Sequence, residues 1–190
     1  MSIKELVIQN RSCRSFDESR PITKEVMTEL VDLARKTASG MNRQPLRYRI
    51  LCEREEVAKM TAGCRFATLL GIPLPPAGQA PTGYIVIFTD AEAGSPTSLA
   101  LKDVGIAAQT ILLAATEQGF GGCMLGSFDP KALCQALGIE ERYQPQLAIA
   151  LGTPAEKFCL VEAEDGSLAY FRDESNVHHV PKRPLDEVLI

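Results

Sequence analysis

An α+β fold is predicted by three features of the chain. Helical and strand signals are mixed without the regular βαβ alternation that a doubly wound parallel sheet requires. Tyr84-Ile85-Val86-Ile87-Phe88 is a continuous β-rich run, the pattern of a buried strand. Thr97 to Gln118 reads as one long helix, roughly 33 Å at 1.5 Å per residue, and it is apolar on nearly every side from Val104 to Ala115. A helix of that kind is expected to be buried all round. In a domain of this size, a second subunit could cover one of its surfaces.

The other elements follow from local chemistry. Ser2-x-x-Glu5 forms a capping box that opens a short helix through about Gln9. Pro21 and Thr23 lead into a second helix, with Val26, Leu30, Leu33 and Ala34 at three- and four-residue spacing on one face. The polar stretch Ser39 to Pro45 breaks that helix, and Arg47 to Cys52 then alternates as a strand. A short helix is expected from Glu53 to Thr61 and a loop from Gly71 to Gly83, which carries four prolines and three glycines. Gly119 ends the long helix, and Gly121 to Leu125 is a short strand. Asp129 and Pro130 cap and start a helix to about Leu137, closed by Gly138. Gln146 to Leu151 is a strand, Leu168 to Phe171 a further candidate, and the tail ends in a short helical turn.

The chain has 190 residues, 45% hydrophobic and 23% charged, which suits a single globular domain over 1–190. A net charge of -4 argues against a general nucleic-acid or membrane-surface partner. The start lacks the continuous apolar region of a secretory signal, so a cytoplasmic location is expected. The six cysteines contain no C-x-x-C pair and read as reduced thiols packed as small apolar groups. Cys13 is the exception to watch, because its basic neighbours could lower a thiol pKa.

Four short stretches could carry chemistry. In Asn10-Arg11-Ser12-Cys13-Arg14-Ser15-Phe16, guanidinium and hydroxyl donors are spaced to converge on a phosphate. Ser39-Gly40-Met41-Asn42-Arg43-Gln44-Pro45 offers amide donors and acceptors suited to the imide edge of a planar heterocycle. Gly119-Phe120-Gly121-Gly122-Cys123-Met124-Leu125-Gly126 allows close backbone approach to a flat ligand, or simply tight turns. It follows a helix and opens a strand, the reverse of the dinucleotide-binding glycine fingerprint. Lys182 and Arg183, after the vicinal His178 and His179, are candidate phosphate contacts. No metal site is expected, since adjacent side chains of an extended chain point opposite ways and no Cys/His pair completes a ligand set. A Ser-His-Asp triad has little material with only two histidines.

Taken in order, these stretches resemble the nitroreductase-like family of FMN-dependent oxidoreductases. The matches are Arg11-Ser12-x-Arg14-x-Phe16, Ser39-x-x-Asn42-x-Gln44-Pro45, Gly119-x-Gly121 through Gly126, and Lys182-Arg183. Three positions depart from the family pattern: Asn10 stands for an arginine, Ala38 for a proline and Leu46 for a tryptophan. The resemblance implies an α+β sandwich with a central antiparallel sheet flanked by helices, and a homodimer with FMN at its interface. It implies that Arg11, Ser12, Lys182 and Arg183 hold the FMN phosphate or ribityl chain, with Arg14 nearer the ring. It also implies that Leu125 and Gly126 lie against the isoalloxazine, and that Ser39, Asn42 and Gln44 approach from the partner subunit.

The chemistry implied is transfer of electrons from NADPH or NADH through flavin N5 to a small electrophilic acceptor, a nitroaromatic or quinone, in a ping-pong cycle. No side chain need be a nucleophile, and Arg14 is the candidate for stabilising negative charge on the reduced flavin. The alternatives are a flavin-binding carrier or sensor without turnover, and specialised flavin chemistry such as reductive dehalogenation. The segment Thr61 to Thr82 is the expected cap over the ring.

Overall fold

In the computed structural model, which describes residues 1–66 and 72–190, four strands form one antiparallel sheet in the order β1-β2-β4-β3. These are β1 (Leu46–Leu51), β2 (Gly83–Asp90), β3 (Gly121–Leu125) and β4 (Tyr143–Gly152). The continuous apolar run in β2 exists because both faces of the sheet are covered. Ile85 and Ile87 point towards α2 (Lys24–Ala34) and α4 (Thr97–Glu117), in a core with Met27, Leu30, Ala107 and Ile111. Tyr84, Val86 and Phe88 point the other way, into a second core with Phe16, Val57, Met60 and Cys123. Partly buried Leu133 and Leu137 add α5 (Pro130–Leu137) to that side, and Val57 and Met60 belong to α3 (Arg54–Gly63). Each fully buried Ile or Leu contributes about 1.5–3 kcal/mol, so the two-sided packing of β2 anchors the layers.

Helix ends behave as the side chains dictate. At α1 (Ile3–Gln9) the Glu5 N–H donates to Ser2 Oγ at 3.3 Å and the Ser2 N–H donates to Glu5 Oε2 at 2.7 Å, a complete capping box. Asp129 accepts from the Lys131 and Ala132 amides, and left-handed Gly138 closes α5.

Several elements differ from the sequence expectation. β4 starts at Tyr143, not Gln146, and so contains Pro145. The proline is tolerated because it lies beside the register shift at Ile87/Phe88 and outside the Ala148–Gly152 stretch that carries β3. The C-terminal region forms a second sheet, ordered β5-β7-β6, from β5 (Phe158–Glu162), β6 (Phe171–Arg172) and β7 (His178–Lys182), with β5 and β7 parallel. Only a strand at Leu168 to Phe171 was expected there, and just Phe171 and Arg172 pair. The expected cap over Thr61 to Thr82 falls partly outside the described residues.

Within one chain α4 is not buried all round. Ala107, Ala108, Ile111 and Ala115 are covered, but Leu101 (48% exposed) and Ile106 (43%) face outward. α4 has the length and apolar content of a membrane span, with a mean hydropathy of 1.4 over its best window. Yet it contains buried Asp103 and packs against α2 and β3. Ile3, Val7 and Ile8 of α1, together with Leu185 and Leu189 near the C-terminus, are also exposed.

Candidate functional site

The arginine stretch is held alongside β3. Ser12 bridges to Gly122, and the Cys13 N–H donates to the Gly122 carbonyl at 2.9 Å. The chain then runs against residues just after β4: Asp17 N–H donates to Thr153 O, and Ala155 N–H to Ser15 O, each at 2.8 Å. That path brings Glu156 under the stretch. Its carboxylate accepts the Arg14 backbone N–H with one oxygen and the Arg172 guanidinium with the other. The Arg14 guanidinium stacks over Tyr170, 5.5 Å from the ring centroid, and donates to Ser12 O at 3.3 Å. Arg11 donates to the Val7 carbonyl of α1.

This region concentrates unsatisfied donors. Among the described residues, buried Nε atoms of Arg11, Arg14 and Arg172, and buried Nδ1 of His178, find no hydrogen-bond partner. Buried polar groups are nearly always paired, and the unpaired Nε atoms of Arg14 and Arg172 belong to guanidiniums close to His178, so these three side chains are candidates to face an acceptor. His178 is 2% exposed and is packed by Phe158 and Tyr170, with ring centroids at 6.2 and 5.3 Å. Burial, and then the nearby Arg14 and Arg172 charges, push its pKa down to about 4. Its neighbour His179 turns outward, stacked on Phe171 and paired with Asp173 at 2.9 Å.

The expectation of a reactive Cys13 is corrected. Its side chain is fully buried, its thiol donates to Ser15 O at 3.2 Å, and burial pushes the pKa up to about 12. The flanking arginines point away from a thiol that has no solvent to lose its proton to. Cys123 is also shifted up by burial, which outweighs the nearby Arg14 charge.

The glycines divide by role. A Cβ on Gly121 would meet Pro154 at 2.8 Å, and one on Gly122 would meet the Ala150 carbonyl at 2.6 Å. These two serve close packing inside the protein. Gly119 turns the chain at φ +82°. Gly126, just past the end of β3, has nothing within 4 Å of a Cβ position, as has Gly119, but without the left-handed φ that Gly119 adopts. The Leu125 side chain lies in the second core, so its exposed resource is backbone.

The Ser39 to Gln44 loop lies elsewhere. Met41, Asn42 and Gln44 adopt left-handed φ values of 52°, 53° and 48°. The Gln44 side-chain amide donates to Asn42 Oδ1 at 3.1 Å, which leaves the Asn42 Nδ2 group and Gln44 Oε1 without a partner among the described residues, on an exposed surface. The loop is bonded to Asp103 of α4, whereas the arginine stretch adjoins Leu112 and Thr116 of the same helix through Asn10. Nine to thirteen residues of helix separate these anchors, roughly 14–20 Å at 1.5 Å per residue. One chain therefore sets Ser12 and Arg14 beside β3, whose far end carries Leu125 and Gly126, and does not bring Ser39, Asn42 and Gln44 to the arginine stretch.

Lys182 and Arg183 are exposed at the end of β7, and Arg183 pairs with Glu187 at 3.0 Å. Among the described residues no hydrogen bond or ion pair joins them to the arginine stretch. Asn10, standing where the family pattern has an arginine, donates to Leu112 O at 3.1 Å and Thr116 Oγ1 at 3.0 Å. It fastens α1 to α4. Leu46 packs against the first core. Glu156, Tyr170, Arg172 and His178 were missed as site residues. Nothing in their local pattern predicts the folding back that unites them with Arg14.

The sequence profile of the nitroreductase family matches residues 7–153. The chain belongs to the nitroreductase family. It is 29% identical over 166 residues to an Archaeoglobus fulgidus protein named "Putative NADH dehydrogenase/NAD(P)H nitroreductase", covering 85% of this chain and 90% of that one. It is 25% identical over 169 residues to a protein of Pseudomonas sp. (strain G-1) named "CR(VI) reductase", covering 82% of this chain and 68% of that one. Among solved structures, it resembles one titled as a "putative nitroreductase in complex with fmn" from Desulfovibrio desulfuricans. The TM-score is 0.74 at 23% identity, covering 100% of this chain and 96% of that one. The match to the nitroreductase family ends at Thr153, so Glu156, Tyr170, Arg172 and His178 all lie beyond it.

Proposed function

We propose that this nitroreductase-family protein is an FMN-dependent oxidoreductase. It takes electrons from NADH or NADPH and delivers them to a small electrophilic acceptor such as a nitroaromatic or a quinone. The observation that carries this reading is the set of orphaned buried nitrogens on Arg11, Arg14, Arg172 and His178. A phosphate supplies acceptor oxygens for several such donors at once, and charge-assisted hydrogen bonds contribute about 1.5–3 kcal/mol each. The names of the Archaeoglobus and Pseudomonas relatives, and the FMN in the Desulfovibrio structure, point the same way.

In this reading Arg11 and Ser12 hold the phosphate or ribityl chain, and Lys182 and Arg183 close over it. Arg14, fixed against Tyr170, presents its charge to the ring. Leu125 offers backbone polar groups, and the open face at Gly126 admits a flat heterocycle. Bound FMN supplies the two-electron chemistry between nicotinamide and acceptor. Asn42 and Gln44 would come from a second copy, because roughly 14–20 Å of α4 separates them from the arginine stretch of their own chain. The exposed Leu101 and Ile106 on α4, with Ile3 and Val7 on α1, supply an apolar surface for that homodimer.

The test is the visible absorption spectrum of the purified protein, incubated with FMN, before and after anaerobic NADPH and then NADH. The expected result is a bound-flavin spectrum that bleaches and recovers on adding a quinone or nitroaromatic. A flavin that binds but does not bleach points to a carrier and refutes the enzymatic reading. A protein that stays colourless refutes the cofactor.

A further inference from the structure

We propose that Asp103 is the positioning residue of the Ser39–Gln44 loop, and that Ser39 acts through it as a staple instead of touching the cofactor. The proposal rests on the reading above, in which Asn42 and Gln44 of that loop reach FMN in a second copy.

The hydrogen-bond inventory of Ser39 is nearly exhausted inside its own chain. A serine hydroxyl has one donor and two lone pairs. Ser39 Oγ–H donates to Asp103 Oδ2 at 2.7 Å, and the same oxygen accepts the Gln44 N–H at 2.9 Å. The donor that a flavin carbonyl would need is already committed. Asp103 is 4% exposed although it sits on a helix with an open face, and its second oxygen accepts the Gly40 N–H at 3.0 Å. A buried carboxylate is costly unless its oxygens are bonded. Here the bonds it makes outside its own helix all go to this loop.

The loop needs such an anchor. Met41, Asn42 and Gln44 all sit at left-handed φ, which residues with a Cβ adopt only when surroundings impose it. The two hydrogen bonds to Asp103, with Ser39 in turn holding the Gln44 amide, fix the loop at both ends of that run. Gly40 completes the contact. A Cβ there would stand 2.2 Å from Leu99 Cγ, so the backbone is pressed directly onto α4. Asp103 lies between Leu101 and Ile106 in sequence, the exposed apolar residues of the same helix. The staple thus ties the loop that presents Asn42 and Gln44 to the helix proposed to form the dimer.

The experiment is a double-mutant cycle on FMN affinity with Asp103→Asn, Ser39→Ala and the pair combined, read by flavin fluorescence quenching. Hydrogen exchange at the Gly40 and Gln44 amides of the cofactor-free proteins is measured alongside. Each single change should weaken FMN binding about tenfold, and the pair no more than about tenfold. Both loop amides should exchange faster while the α4 amides do not. Additive losses would show that Ser39 touches the cofactor itself and overturn the proposal, as would unchanged affinity and exchange. If Asp103→Asn does not fold, Ser39→Ala against Ser39→Thr decides. The threonine should keep native exchange at Gln44, and an alanine variant that loses affinity with native exchange would refute the staple. Failure of the unmutated protein to bind FMN would refute the proposed function, and the exchange data would still test the staple.

Discussion

Replacing Glu156 with alanine should destabilise the protein well beyond the loss of one ordinary ion pair. The Glu156 side chain is 3% exposed and that of its partner Arg172 is 15%. The carboxylate also accepts the Arg14 backbone N–H, so its removal strands a buried guanidinium and an amide together. Exposed pairs contribute about 0–1 kcal/mol, whereas breaking a buried pair by removing one partner costs about 3–5 kcal/mol. For a chain of this length each kcal/mol moves the melting temperature by about 2–4 °C, which gives a fall of about 6–20 °C. The assay is urea unfolding of cofactor-free protein at one fixed protein concentration, because ligand and association both shift apparent stability. Adding Arg172→Met to Glu156→Ala should recover part of the loss, since the uncompensated charge then disappears. High salt should change the cost little, because the pair is shielded from mobile ions. A Glu156→Ala protein within about 1 kcal/mol of the parent would refute this account, for it would mean that water already reaches the pair.

Other perturbations have definite signs. His178 titrates near 6.5 when unfolded and about 4 when folded. The unfolded chain therefore takes up the proton first, and stability present above pH 6.5 is lost as pH falls towards 4, at up to about 1.4 kcal/mol per pH unit; His178→Phe should flatten that part of a stability–pH curve. Gly122→Ala should cost about 1–3 kcal/mol or more, because its Cβ would meet a main-chain carbonyl that cannot yield. Gly126→Ala, with open space around it, should leave urea stability within about 0.5 kcal/mol of the parent while weakening FMN binding. If the proposed dimer forms, Ile106→Glu should shift it to monomer in sedimentation experiments, and FMN binding should fall with it.

The layered fold was legible because its elements are long and their chemistry is local. The Ser2/Glu5 capping box, the Asp129-Pro130 helix start and the buried run of β2 each declare themselves within a few residues. The second sheet did not. β6 is two residues long, and β5 and β7 pair in parallel across about fifteen intervening residues, so no short window carries their pattern. The site divides the same way. Arg11, Ser12, Arg14 and Gly126 could be picked out from a linear motif. Glu156, Tyr170, Arg172 and His178 become neighbours of Arg14 only when the tail folds back. Sequence alone also misjudged burial. Charge next to Cys13 suggested a reactive thiol, but the chain direction beside β3 turns that side chain into the core. The apolar length of α4 suggested burial on all sides, but Leu101 and Ile106 remain uncovered in one chain.

The bond from Arg14 to Glu156 spans 142 positions. Ribosomes deliver residues in order, at about 5–20 per second, so the first half of this contact waits about 7–28 s for the second. The last strand of the four-stranded sheet ends at Gly152, only four residues before Glu156, so the sheet and this contact become available almost together. Tyr170 and His178 follow Glu156 by 14 and 22 residues, so the aromatic ring over Arg14 and the histidine packed against that ring are added last. In the proposed function, cofactor capture is thereby deferred until the tail has been made. A polypeptide cut short after the sheet would lack Glu156, Tyr170, Arg172 and His178 together, and with them the carboxylate and the ring that order Arg14.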